Sequence, residues 1–138
     1  MIKPISRDTS SWYVLQRERD LPESEQTAFE VTPFQHFDYK AIVGILGQDF
    51  DASSATGGRM FDVIYDGARS RIRGFRNFLD ENGEEMPCTR ESDKTAWGPK
   101  REMLTRECAE PISFNDLAEV FAFCMGDCRL SEDDRKNS

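Results

Sequence analysis

The sequence contains one histidine, His36, and none of its four cysteines forms a C-x-x-C pair. Zinc sites take their ligands from cysteine and histidine at short spacings, so these shortages argue against a local zinc site. Cys124 and Cys128 would share one face of a helix, but a site there would have to recruit Cys88 or Cys108 from elsewhere in the fold. We expect no metal site, no cofactor and reduced, mostly buried thiols.

Long apolar runs and excess positive charge are also missing. No run approaches the ~20 apolar residues of a membrane-spanning helix, and the first ten residues lack the apolar core of a signal peptide. The net charge of −8 opposes general nucleic-acid binding, because that affinity comes largely from Lys and Arg that displace counterions. The sequence therefore predicts a cytoplasmic protein that binds neither membrane nor nucleic acid.

Catalytic motifs are absent too. No serine or cysteine stands in a recognisable nucleophile motif with His36. The glycine-rich segment 53–59 lacks the G-x-x-x-x-G-K-[ST] spacing of a phosphate-binding loop. We therefore predict that the protein is not an enzyme.

The sequence does provide an aromatic core. Ten phenylalanines and a hydrophobic content of 38% in 138 residues predict one folded domain. We expect an α+β fold, a mainly α-helical single domain with an N-terminal β-hairpin. The expected organisation is a flexible arm at residues 1–10, the α-rich domain at 11–129 and a polar tail at 130–138.

The hairpin and the first helix are predicted near the N-terminus. Residues 12–17 and 27–32 are typical of strands, and the charged segment between them suits an exposed loop. Thr32, with proline and glutamine one and three residues later, predicts a helix start that Gly47 would end. The apolar stripe of this helix is expected to contain Phe34, Phe37, Ala41, Ile42 and Ile45.

A second helix is predicted from Arg59 to Leu79, after a flexible connection at 48–58. Its internal glycines, Gly67 and Gly74, each lower helix stability by roughly 1 kcal/mol relative to alanine, which indicates close packing against another helix. The turn Asn82-Gly83 would end it. The expected apolar stripe consists of Phe61, Ile64, Tyr65, Ala68, Ile72, Phe75 and Leu79.

The second half of the chain is predicted to hold a loop and two helices. Residues 86–99 contain two prolines and are typical of a loop, whereas residues 100–108 favour a short helix. Ser113, followed three residues later by Asp116, is a strong N-cap signal and predicts the start of the third main helix.

Charges of the two signs are separated along the chain. Residues 69–76 hold four arginines, whereas the segments 81–85 and 132–134 are acidic. This polarity favours a solvated helix face, and self-association or docking on an acidic partner is the alternative.

Three segments carry a resemblance to a known family: T-A-F-E-V at 27–31, G-F-R-N-F-L-D-E-N-G-E-E-M-P at 74–87 and L-S-E-D-D-R-K-N-S at 130–138. With their spacing they resemble the tail assembly chaperones, small proteins encoded near the tail genes of long-tailed bacteriophages. The resemblance covers most of the chain.

The resemblance implies a binding function in the host cell cytoplasm. Such a protein would bind the tape-measure protein, or another tail protein, and shield its apolar surface during tail assembly. The candidate contact residues are Arg73, Phe75, Arg76 and Phe78. A homo-oligomer, a permanent virion component (connector, decoration or baseplate protein) and an inhibitor of a host defence system remain as alternatives.

Overall fold

The computed structural model describes the backbone of residues 10–47 and 55–137, and the side chains of residues 10–47 and 58–126. Residues 1–9 of the predicted arm and 48–54 of the predicted connection lie outside the described residues. So do the side chains of the predicted polar tail.

Along the described chain, two strands are followed by two helices, three strands and two further helices. Strands β1, β2 and β3 form an antiparallel sheet in that order, and β4 pairs with β5 in a second antiparallel sheet. The elements are β1 (Ser11–Val14), β2 (Ala28–Val31), α1 (His36–Leu46), α2 (Ala55–Arg71), β3 (Ile72–Arg76), β4 (Arg90–Lys94), β5 (Lys100–Leu104), α3 (Arg106–Ala109) and α4 (Phe114–Asn137).

The prediction of a mainly α-helical domain is wrong. The fold is α+β, with four helices and two small antiparallel sheets in the described part of the chain. The N-terminal hairpin exists, since β1 pairs with β2, but it is the beginning of a three-stranded sheet that β3 completes. Its strands alternate as expected: Tyr13 and Phe29 pair and are buried, whereas Trp12 points to the other face and is 46% exposed.

Strand β3 lies where the second half of a helix is predicted. Val31 pairs with Ile72 and Glu30 pairs with Gly74, so Arg73 is an extra residue that forms a β-bulge. The bulge brings Ile72 and Phe75, three positions apart, to the same side of the sheet. Because three positions is also a helical spacing, the apolar pattern of this strand imitates a helix.

Helix α1 begins at His36, not at Thr32. The amide of Thr32 instead donates to the carbonyl of Arg71, which prolongs the pairing of β2. The buried side of α1 holds Asp38, Ile42 and Ile45, and Phe37 lies beside this stripe and is 65% exposed. The buried aspartate was not expected, because hydrophobic periodicity does not count a carboxylate as a core residue.

The second sheet replaces the predicted loop and short helix of residues 86–108. Strand β4 has the sequence R-E-S-D-K and β5 begins K-R-E, so neither alternates apolar with polar residues. What attaches them to the core is the end of β5, where Met103 and Leu104 are fully buried. The short α3 follows at once, and its N-cap Thr105 accepts the amide of Cys108.

The arginines at the end of α2 are core residues, so a solvated helix face is wrong for Arg69 and Arg71. Nε of Arg69 donates to the carbonyl of Leu104 at 2.8 Å, and its Nη1 lies 3.1 Å from Oδ1 of Asp66. Nη1 of Arg71 donates to the carbonyl of Pro33 at 2.9 Å. Burial lowers the pKa of Arg71 to about 10 and raises the pKa of Asp66. Arg69 therefore joins α2 to the end of β5, and Arg71 joins α2 to the segment between β2 and α1.

Two predictions about helices α2 and α4 are confirmed: the N-cap of α4, and the close packing of α2 at Gly67. Oγ of Ser113 accepts the amide of Asp116 at 3.2 Å, which is the predicted N-cap of α4. A Cβ at Gly67 would lie 2.6 Å from the ring of Phe121, so this glycine does permit close helix packing. Gly74 has a different role: it lies in β3 beside Glu30.

Candidate binding groove

The four predicted contact residues do not form one surface. Arg73 is exposed at the bulge, whereas Phe75, Arg76 and Phe78 are half-buried. Phe75 pairs with Phe29 on the buried face of the sheet, and the next residue, Arg76, points to the opposite face. The two phenylalanines therefore lie on the side of the sheet that faces the core, and Arg76 lies on the opposite side.

Phe75 and Phe78 belong to a cluster around Phe29. Their ring centroids are 5.1 Å apart in a stacked arrangement, and Phe29 lies 5.8 Å from Phe75 and 6.2 Å from Phe78. Asn77 allows this, because its left-handed backbone (φ 56°) turns the chain at the end of β3. Its Nδ2 donates to the carbonyls of Ser24 and Gln26, which fixes the turn against the loop between β1 and β2.

Two adjoining pockets beside Phe78 form a groove. Their volumes are about 180 and 340 Å³, and Leu79 and Pro111 line both. Leu79 is 55% exposed and lies between them. We call this surface the Leu79 groove; it is lined by Leu15, Arg17, Glu18, Thr27, Phe29, Phe78, Leu79, Asp80, Glu81, Asn82, Met86, Pro111, Ile112 and Asp116.

Several polar side chains of the groove already have partners within the chain. Arg17 pairs with Asp116 at 2.6 Å, and Oε1 of Glu18 accepts the amide of Thr27 at 2.7 Å. Oδ1 of Asp80 accepts two backbone amides of the turn that follows it. The groove therefore has a mixed surface, in which Phe78, Leu79, Met86, Pro111 and Ile112 form the apolar part and several polar side chains are already bonded within the chain.

The rim of the groove is acidic. Glu81 lines it and is exposed, and Glu84 and Glu110 are exposed on the neighbouring turn and beside Pro111. No ion pair joins these three carboxylates to another residue in the described part of the chain. A ligand with apolar groups flanked by positive charge would match this surface.

The described side chains give no arrangement typical of catalysis. His36 is exposed at the start of α1, and no group of three or more His, Cys, Asp or Glu residues is placed to hold a metal ion within those ranges. Cys88 is half-buried, Cys108 and Cys124 are buried, and the side chain of Cys128 lies outside the described residues. Within the same ranges, no helix is long and apolar enough to cross a membrane.

Sequence reasoning missed Leu79, the central residue of the groove. The helical interpretation placed it on the buried stripe, because it follows Phe75 by four positions. In the structure Asn77 ends the strand, and Leu79 begins the short return pairing with Glu85. The signal available in the sequence was the Asn82-Gly83 turn, and Gly83 does adopt a left-handed backbone there (φ 78°).

Comparison with known proteins gives no match. No protein family, no curated protein and no solved structure is significantly similar to this chain.

Proposed function

We propose that this protein is a non-enzymatic binding protein that shields an apolar segment of a partner in the Leu79 groove. The setting comes from the resemblance to tail assembly chaperones: the partner is then the tape-measure protein, and binding takes place in the host cell cytoplasm. The segment 74–87, which carries that resemblance, also supplies Phe78, Leu79 and Met86 to the groove.

The proposal rests on a difference between the apolar and the polar side chains of the groove. Apolar side chains remain available to a ligand, whereas Arg17, Asp116, Glu18 and Asp80 are engaged with groups of the same chain. A reactive site would show the opposite pattern, with polar groups left to act on a substrate. The first pocket, at about 180 Å³, has room for one protruding side chain, whereas the second, at about 340 Å³, falls within the roughly 300–1,000 Å³ of small-molecule sites.

The expected ligand is an amphipathic helix with basic residues beside its apolar positions. Helices dock into apolar grooves through anchors spaced three or four residues apart, and the two adjoining pockets provide places for two such anchors. The exposed carboxylates of Glu81, Glu84 and Glu110 would attract Lys or Arg that flank those anchors.

A groove of this size also fits the reversible binding that a chaperone needs. Complete burial of one leucine side chain contributes about 1.5–3 kcal/mol, so one or two anchors give a weak contact. Many weakly bound copies would cover a long helix and would still be displaced by tube subunits that bind it more extensively.

Co-expression with a candidate tape-measure protein, followed by affinity capture, tests the proposal. Leu79→Glu places a charge at the centre of the groove and is expected to reduce capture at least roughly ten-fold. The matched control is Leu21→Glu, because Leu21 is a similarly exposed leucine (43%) that does not line the groove. Equal capture by both variants would refute the Leu79 groove as the binding surface.

The presence or absence of the protein in purified phage particles distinguishes a chaperone from a permanent virion component. A chaperone is released, so purified particles are expected to lack it. Its presence in mature particles at a fixed copy number would favour the structural alternative.

A further inference from the structure

We propose that copies of this chain associate head to tail, through a basic surface at Arg73 and Arg76 of one copy and the acidic turn 81–85 of the next copy. This contact lies outside the apolar part of the Leu79 groove and does not depend on the proposed function.

The basic surface holds Arg76 in a fixed position with an unused hydrogen-bond donor. The guanidinium of Arg76 lies 5.2 Å from the ring centroid of Trp12, which holds it across the outer face of the sheet. Its Nε is buried and has no hydrogen-bond partner. Among the described residues, no ion pair involves Arg73 or Arg76. Arginines without a carboxylate partner are notable in a chain whose net charge is −8.

Arg76 also faces an open recess of about 590 Å³, which it lines together with Glu23, Ser24 and Asn77. Glu23 is the one acid that lines this recess, and the exposed Arg73 is a second cation three residues earlier on the same strand. A carboxylate that enters the recess therefore meets the guanidinium of Arg76 and one like charge.

The acidic turn is rigid and points its carboxylates outward. Oδ1 of Asp80 accepts the amides of Asn82 and Glu84 at 2.8 and 3.0 Å, and this fixes the turn. Glu81, Glu84 and Glu85 are exposed. A preformed turn loses little conformational entropy when it binds, so its charges are available at low cost.

Within one molecule, no ion pair among the described residues joins the two surfaces. The pairing of Leu79 with Glu85, and the 2.7 Å hydrogen bond from the amide of Met86 to the carbonyl of Phe78, place the turn beyond the end of β3. A second copy has both surfaces free, and its charges are complementary. In the head-to-tail arrangement that we propose, the contact is heterologous, and such contacts build rings or open chains of molecules.

Charge reversal tests this contact with the purified chain alone. Sedimentation velocity at low salt is expected to show association that grows with concentration and is lost at high salt. R73E/R76E and E84K/E85K should each weaken association by roughly ten-fold or more, because each makes both surfaces of a pair alike in charge. An equal mixture of the two variants should associate again. The acidic turn of R73E/R76E can bind the basic surface of E84K/E85K, and the reversed surfaces of the two variants are also opposite in charge.

The mixture is also the control for folding, because a variant that had lost its structure could not restore association. The purified chain is tested without a tape-measure protein, so failure of this proposal and failure of the groove proposal are distinguishable. A wild-type chain that stays monomeric at every concentration and salt tested would overturn the inference. Persistent association of both charge-reversed variants, or a mixture that does not associate, would do the same.

Discussion

Nε1 of Trp97 donates a 3.0 Å hydrogen bond to Oδ1 of Asp38, which ties the turn between β4 and β5 to the first turn of α1. Arg101 reaches the same carboxylate, with Nε 3.1 Å from Oδ2 and Nη2 3.1 Å from Oδ1. Asp38 is only 1% exposed, and a buried carboxylate is tolerated when its oxygens are paired in this way. The second sheet, which has few apolar residues of its own, is thereby fastened to the helical side of the core.

Replacement of Asp38 by alanine is expected to destabilise the fold by about 2–4 kcal/mol. The substitution leaves the buried Trp97 indole without its acceptor and Arg101 without its counter-charge, although partial exposure of Arg101 moderates the loss. Urea unfolding followed by tryptophan fluorescence measures it. Trp97→Phe, which removes one hydrogen bond and keeps the ion pair, should cost less than Asp38→Ala. A loss below about 0.5 kcal/mol for Asp38→Ala would contradict this role.

Gly67→Ala is expected to destabilise the protein by about 1–3 kcal/mol, although alanine is the better helix former. A Cβ at this position would lie 2.6 Å from Phe121 and 3.3 Å from Phe34, so the two helices would have to move apart. Gly44→Ala is the matched control, since it lies within α1 and its Cβ would meet nothing within 4 Å. Helix propensity alone should make that control more stable by roughly 0.5–1 kcal/mol.

Thermal or urea unfolding of the two glycine variants compares the steric clash at position 67 with the gain in helix propensity at position 44. Opposite signs are expected for Gly67→Ala and Gly44→Ala. Stabilisation by both variants would mean that α2 and α4 pack less closely than the contact of Gly67 with Phe121 indicates.

Features set by a few neighbouring residues were predictable from the sequence. The N-cap at Ser113 needs only one hydroxyl and the amide three residues later, and Gly83 needs only a left-handed turn. The close approach at Gly67 was predictable too, because a glycine inside a helix has a cost that a tertiary contact must offset. Each of these signals is contained in a short stretch of chain.

Features set by distant pairing were not predictable. The bulge at Arg73 makes a strand imitate helical spacing, and only the register with β2 reveals it. Strands β4 and β5 carry almost no apolar alternation, and the contacts that attach them to the core, including those of Arg69 on α2, come from distant parts of the chain. The candidate site shows the same limit. Phe78, a predicted contact residue, does line the groove. Leu79 is predicted to be a core residue, and only its pairing with the distant Glu85 shows that it lies on the surface.

Tyr13 is expected to give the protein a distinct loss of stability in alkaline solution. Its hydroxyl donates to Oε2 of Glu119 at 2.7 Å, and burial, reinforced by that carboxylate, raises its pKa to about 12 from the usual 10.0. Below pH 10 the phenol keeps its proton in the folded and the unfolded chain, so it adds no pH dependence there. Above that pH the unfolded chain ionises first, and the free energy of unfolding falls by at most about 1.4 kcal/mol per pH unit until the folded pKa is reached.

Tyr13→Phe isolates this effect from the titration of the other tyrosines and the lysines. The variant keeps the ring contact with Phe123, whose centroid lies 4.5 Å away, but it cannot ionise. Near neutral pH the variant should be less stable by about 1 kcal/mol, because Glu119 loses a hydrogen-bond donor. As the pH rises above 10, the difference should shrink and then reverse, since only the wild type loses stability by ionising in the unfolded state. Urea midpoints measured at a series of alkaline pH values follow the difference, and a constant gap would show that Tyr13 ionises as easily in the folded chain as in the unfolded one.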